Sequence, residues 1–203
     1  MNPIRTKFAV VAMSFVAAAP VLADELAVGN CTWCHGTSAQ GFSVAPRLAG
    51  QRSDYIINQL RSFAAHQRDD FLATKYMWSA TAHLDPLNMR DLATYFSELT
   101  PKAAADGDGD LVAAGKAIFE NGLPDENIVA CQACHGPEGQ GIREIPRLGG
   151  LSYSYVQHRF EAWSEGYDAS AAPMPEVARS MSANQVAAVA SFLSFVAGGA
   201  AEK

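Results

Sequence analysis

Clustered positive charge, long hydrophobic runs and β-type alternation are all scarce in this 203-residue chain, and each scarcity removes a class of protein. Fifteen Lys and Arg face twenty-one Asp and Glu, for a net charge of -6 and a pI near 5.3. No stretch gathers those cations into the patch that phosphate recognition needs, so a nucleic-acid partner is excluded. The one candidate membrane segment, Phe8 to Ala19, falls short of the roughly 20 apolar residues a helical span requires. Nothing alternates long enough to demand a sheet. With 49% hydrophobic and 18% charged residues, a disordered or fibrous chain is also excluded, and one medium domain or two small ones remain.

The apolar segment follows Arg5 and Lys7 and runs through Pro20 into Val21-Leu22-Ala23. A basic start, a short apolar core and compact residues at the end read as a signal peptide over 1–23, which implies export to an oxidising compartment. Without Arg5 and Lys7 the mature chain keeps thirteen basic residues against twenty-one acidic ones, a charge of -8.

An internal repeat organises the rest. At an offset of 100, Cys31, Cys34, His35 and Gly36 fall on Cys131, Cys134, His135 and Gly136. Gln40-Gly41 falls on Gln140-Gly141, and Pro46-Arg47-Leu48 with Gly50 falls on Pro146-Arg147-Leu148 with Gly150. Ten of the twenty positions over 31–50 are identical, so two copies of one unit are present. After a three-residue shift Met77 matches Met174, and Leu92-Ala93 matches Val189-Ala190. The copies are expected at 24–100 and 111–203, joined by a polar linker over 101–110. Its Asp-Gly-Asp-Gly-Asp resembles a calcium loop, but the closing Glu is absent, position 117 being Ala117.

Both copies read as helical. Asp85 before Pro86 is an N-cap with proline in the first turn, and Met89, Leu92, Ala93 and Phe96 follow at one-face spacing. Ser182 and Gln185 have capping-box spacing ahead of Val186, Val189, Ala190, Leu193 and Val196. Upstream, Ile56, Leu60 and Phe63 match Val156, Phe160 and Trp163. The fold class is therefore all-α.

All four cysteines sit in C-x-x-C-H. This spacing attaches haem c: Cys31 and Cys34, and Cys131 and Cys134, add to the vinyl groups, while His35 and His135 ligate iron. Disulfide or thioredoxin-like pairs do not require His after the second Cys in both copies, and a four-cysteine zinc site would need the two motifs to converge. Two covalent haems are the expected cofactors. Met77 and Met174, equivalent in the two copies, are the expected sixth ligands, Met174 being placed in a loop between Pro173 and Pro175. Their competitors are Met89, His66 and His83 in the first copy and Met181 and His158 in the second. Pro46 and Pro146 are assigned carbonyls that accept from the axial histidines. Arg47 and Arg147 are assigned to haem propionates, with plain surface arginine as the alternative. Tyr55 and Tyr155 either bond a propionate or pack between domains.

The motifs CTWCH and CQACH, the segments PRLAGQRSDYIINQL and PRLGGLSYSYVQHRF, the late Met and the helix NMRDLATYFSEL resemble the two-haem class I cytochromes c of the cytochrome c4 family, over nearly all of 31–197. The resemblance implies two small helical domains about a pseudo-twofold axis, His/Met ligation, and a periplasmic setting, often near the membrane. It also implies a contact of Gly115 and Phe119 with the last helix. The first copy, with only Asp24 to Asn30 before Cys31, is expected to lack that contact and to expose a more apolar haem edge. Iron closed by His and Met has no vacant position, so the expected function is electron transfer rather than catalysis. A cytochrome bc-type complex or dehydrogenase would be the donor and a terminal oxidase the acceptor. The alternatives are the electron-accepting subunit of a periplasmic dehydrogenase, such as a flavoprotein, and a haem enzyme such as a peroxidase.

Overall fold

The computed structural model describes residues 25–197, so the expected signal peptide lies outside the described residues. Among the described residues the regular structure is helical and strand pairing is limited to isolated bridges. No described helix is long and apolar enough to cross a membrane. The first copy contributes α1 (Glu25–His35), α2 (Ser53–Ala64), a π-helical turn (Ala73–Met77) running into α3 (Trp78–Thr81), and α4 (Pro86–Glu98). The second contributes α5 (Val112–Asn121), α6 (Gln132–His135), α7 (Tyr153–Ser164), α8 (Met174–Ser180) and α9 (Ala183–Phe195).

The helix starts follow their local chemistry. The Asp85 carboxylate accepts from the amides of Leu87 and Asn88 at 2.9 and 2.8 Å, opening α4. Ser182 and Gln185 complete the reciprocal capping box of α9. α4 buries Met89, Leu92, Ala93 and Phe96 against Ile56 and Leu60 of α2. α9 buries Val186, Val189, Ala190 and Leu193 against α5 and α7. Full burial of each larger side chain contributes about 1.5–3 kcal/mol. Val196 departs from the expected pattern: it follows the last helical turn in extended conformation and is half-buried.

The copies differ at their leading helices. α5 crosses α9 at Gly115, where a Cβ would overlap the Ala188 carbonyl and lie 2.8 Å from Phe192 Cβ. The rings of Phe119 and Phe192 pack 5.3 Å apart beside it. In the first copy α1 is continuous from Glu25 through the C-x-x-C-H, Ala27 and Val28 partly cover the core, and α1 still touches α4, so the contact expected to be lacking is reduced rather than absent.

Residues 101–110 do more than connect. The amides of Gly107 and Asp108 donate to the hydroxyls of Ser194 and Ser191 at 3.0 and 3.1 Å, and Ala105 N–H donates to the Ser194 carbonyl at 2.8 Å. Lys102 N–H donates to Gln40 Oε1 at 2.9 Å on the other side. The linker carboxylates serve as backbone acceptors: Asp106 for Tyr153 N–H and Asp108 for Asp110 N–H, both at 2.9 Å.

A buried ionic square joins the copies. Arg159 Nη1 meets Asp70 Oδ2 at 2.6 Å, Arg159 Nη2 meets Asp168 Oδ2 at 2.5 Å, and Arg68 Nε meets Asp70 Oδ2 at 3.0 Å. Asp168 N–H also donates to Asp69 Oδ1 at 2.8 Å. At offset 100, Gln59 and Arg68 are the counterparts of Arg159 and Asp168, and each pair bonds at 2.5 Å. The repeat has kept the contact and changed the charges. Burial alone would raise Asp70, but Arg68 and Arg159 outweigh it and hold the carboxyl below its ordinary range.

Candidate functional site

Each C-x-x-C-H lies on a helical turn, so its Cys, Cys and His project from one face at i, i+3 and i+4. Gly36 and Gly136 then take φ of 84° and 81°, which ends the turn and folds the chain back. The return loops are near copies. Gly41 and Gly141 amides donate to the carbonyls of His35 and His135, both at 2.8 Å. A Cβ at either glycine would sit 2.6 Å or less from backbone atoms of the segment carrying Arg47 or Arg147. Phe42 pairs with Ala45 and Ile142 with Ile145, which turns the following proline toward the histidine.

That turn places the Pro46 carbonyl oxygen 2.7 Å from His35 Nδ1 and the Pro146 oxygen 2.9 Å from His135 Nδ1. A carbonyl only accepts, so Nδ1 carries the hydrogen and Nε2 presents its lone pair. Burial lowers both imidazole pKa values, against the opposing effect of the carbonyl bond, so the rings are neutral. A neutral, oriented imidazole with a lone pair at Nε2 is the form that ligates a metal.

The thiols are not built for exchange. All four are free, with Cys34 and Cys134 exposed. Burial, reinforced by Cys34, pushes the Cys31 thiol up to about 11, and burial raises Cys131 as well. A redox C-x-x-C depends on a depressed thiol pKa, the opposite of the direction at Cys31 and Cys131. Among the described residues no three His, Cys, Asp or Glu side chains converge on a metal site, which leaves the zinc alternative without a cage. Trp163 Nε1 is a buried donor that bonds no acceptor among the described residues, a group the carboxylate of a bound cofactor would satisfy. Paired thiols, oriented imidazoles and this donor fit covalent haem.

Met77 and Met174 are both half-buried, in different settings. Met77 closes the π-helical turn, which lies within the stretch where the three-residue shift between the copies arises. Met174 opens α8 instead of lying in a loop, because Pro175 suits a first helical turn. Of the competitors, Met89 and Met181 are committed to the cores. His66 stacks on Trp78 with ring centroids 4.0 Å apart, His83 is exposed, and His158 lies 3.8 Å from Asp70.

The surface-arginine alternative is overturned, since Arg47 and Arg147 are 3% and 0% exposed. The Arg47 guanidinium donates to the carbonyls of Gly149 and Lys102, and Arg147 Nε donates to the Gly50 carbonyl at 2.8 Å. Each arginine thus clasps backbone beyond its own copy. Burial and the facing Arg147 bring Arg47 down to about 10, which leaves it charged at neutral pH. Tyr55 and Tyr155 belong to the interface: burial, with Tyr155 and Asp168 beside it, raises the Tyr55 phenol. The clasp, the ionic square and Gln51, whose amide bonds the Arg147 backbone, were not recognised in the sequence. At offset 100 Gln59 falls on Arg159 and Arg68 on Asp168, so the paired positions are equivalent but their residue types differ, and the repeat alone did not single them out.

The cytochrome c family model matches residues 21–100 and again 112–196. Cytochrome c-552 of Acidithiobacillus ferridurans is 34% identical over 168 residues, covering 81% of this chain and 73% of its own. The thiosulfate dehydrogenase electron acceptor of Thiomonas intermedia (strain K12) is 36% identical over 172 residues, covering 81% and 77%. The solved cytochrome c4 of Acidithiobacillus ferrooxidans superposes with a TM-score of 0.77 at 33% identity, over 82% of this chain and 98% of that one. Two matches of one haem-domain family, a C-x-x-C-H in each, and relatives aligned across both copies lead to one assignment: the chain belongs to the cytochrome c family, as a cytochrome c4-like electron-transfer protein with two covalently bound haems c.

Proposed function

We propose that the chain is a periplasmic two-centre electron relay, exported by the segment 1–23, in which His35 with Met77 and His135 with Met174 close the two irons. The observation that carries this reading is the repeated bond from His Nδ1 to a proline carbonyl, which leaves Nε2 of each ring oriented and neutral. Haem c supplies reversible one-electron exchange between ferric and ferrous iron. Around it, Cys31, Cys34, Cys131 and Cys134 would hold the ring covalently, and Met77 and Met174 would favour the ferrous form as neutral soft ligands. Arg47 and Arg147 would balance buried propionate charge, and Trp163 Nε1 would donate a hydrogen bond to such a carboxylate. With both axial positions closed, the chain has no substrate position of its own and is not an enzyme.

The partners we infer are redox proteins: a cytochrome bc-type complex or dehydrogenase on one side, a terminal oxidase on the other, with peripheral membrane association. The Thiomonas relative's role as electron acceptor of a thiosulfate dehydrogenase supports the reading as a dehydrogenase's acceptor subunit. The first copy offers the more apolar entrance. Trp33, Phe42 and Val44 are exposed there, where the second copy has Ala133, Ile142 and Glu144. Stopped-flow mixing of the oxidised protein with a thiosulfate dehydrogenase and thiosulfate tests the assignment. Reduction of both haems on the catalytic time scale is expected, and reduction no faster than by thiosulfate alone rejects this donor class.

A further inference from the structure

We propose that Gln51, in the first copy, is a positioning residue for His135 in the second, acting through the peptide group that joins Pro146 to Arg147. The proposal rests on His135 being an axial ligand. Three groups form a chain. His135 Nδ1–H donates to the Pro146 carbonyl oxygen at 2.9 Å. The nitrogen of that same peptide group belongs to Arg147, and its N–H donates to Gln51 Oε1 at 2.7 Å. Gln51 Nε2 donates in turn to the Arg147 carbonyl oxygen at 3.0 Å. Both ends of the Gln51 amide are therefore engaged by one residue of the other copy, which fixes Oε1 as the atom facing the Arg147 N–H.

An amide whose N–H is engaged carries more electron density on its carbonyl oxygen, and in a shielded site such chains strengthen by about 10–30% per bond. Gln51 and Arg147 are both buried, so water competes little for these atoms. A stronger acceptor at Pro146 draws on Nδ1–H and leaves Nε2 of His135 the better donor. That favours ferric over ferrous iron in the second copy.

The arrangement runs one way. The counterpart of Gln51 at offset 100 is Leu151, which has no acceptor and is packed in the second core. It also depends on the copies being docked, because the neighbouring Gly50 carbonyl receives Arg147 Nε. The two axial histidines are alike within their own copies and differ in what the other copy supplies.

The test uses the full two-haem protein with Gln51→Leu and Gln51→Glu. It reads the ferric-to-ferrous ratio of each haem at a fixed solution potential, and the Nδ1–H proton resonance of His135 in the ferrous state. Gln51→Leu removes the acceptor, and the ratio at the second haem should move toward ferrous by about two- to fourfold, with the first haem unchanged and the resonance upfield. Gln51→Glu keeps Oε1 and gives it charge, so both readouts should move the opposite way. Shifts in the same direction for both variants, or equal shifts at both haems, mean a structural role only and overturn the proposal. A normal ligand resonance that Gln51→Leu leaves in place overturns it while sparing the ligation. Absence of that resonance from the unsubstituted protein removes the ligation and the proposal together. Should Gln51→Leu fail to accumulate, Gln51→Asn, one methylene shorter, must shift the second haem in the same direction as expected for Leu.

Discussion

Gly115 and Ala188 touch backbone to backbone where α5 crosses α9, and there is no room for a methyl group between them. Gly115→Ala should therefore destabilise the second domain. Alanine gains about 1 kcal/mol of helix propensity over glycine, but the obstacle is a carbonyl within a packed helix, and overpacking of this kind costs about 1–3 kcal/mol or more. Gly29 in α1 meets nothing within 4 Å, so Gly29→Ala should stabilise by about 0.4–1 kcal/mol. Thermal unfolding of the two variants should show shifts of opposite sign. Equal shifts would mean that the α5–α9 crossing is looser than described.

Removing one cation from the ionic square should be more costly than removing an ion pair. Arg159→Leu leaves Asp70 and Asp168 with only Arg68 between them, a change that costs about 3–5 kcal/mol when charges are buried. Arg159→Leu combined with Asp168→Leu leaves Arg68 facing Asp70, and much of that loss should return. A double-mutant cycle in denaturant measures the difference. Additive losses would show that the two groups do not interact.

The same network sets an acid limit. The Asp70 pKa is depressed in the folded protein below its ordinary 3.8. Its contribution is therefore complete above that value and is lost as the pH falls through the folded pKa. The unfolding temperature of the native protein should drop more steeply below about pH 4 than that of Asp70→Asn, the two curves running parallel above it. Parallel curves throughout would assign acid sensitivity to other carboxylates.

Features that repeat between the copies were the legible ones. The C-x-x-C-H turns, the glycine loops and the apolar faces of α4 and α9 were readable because each is a local pattern with one physical solution. The π-helical turn ending at Met77 was not, since five residues carry no periodic signal that separates it from an α turn. Arg47 shows the other limit: its type and recurrence suggested a carboxylate partner, but its burial against Gly149 depends on how the copies dock. Gln51 escaped notice because it breaks the repeat, and only the fold brings its amide to Arg147.

Exchange of the sulfur ligands is the most direct test of the site. Met77 and Met174 are half-buried in unlike settings, one closing a π-helical turn and the other opening α8. If both ligate iron, Met77→His and Met174→His should each lower the potential of one haem and leave the other near its original value, because imidazole donates more strongly to ferric iron than a thioether does. Covalent attachment should survive, since neither change touches the thiols, and mass spectrometry should still find two haems. The effect should be cleaner at Met174, where a short helix held by α7 fixes the backbone. At Met77 the longer turn must absorb the larger ring. Spectroelectrochemical titration of each variant reads both potentials in one experiment. If Met77→Ala leaves the ferric spectrum and both potentials unchanged, the sixth ligand of the first haem has to come from elsewhere, and exposed His83 is then better placed than Met89, which the first core already holds.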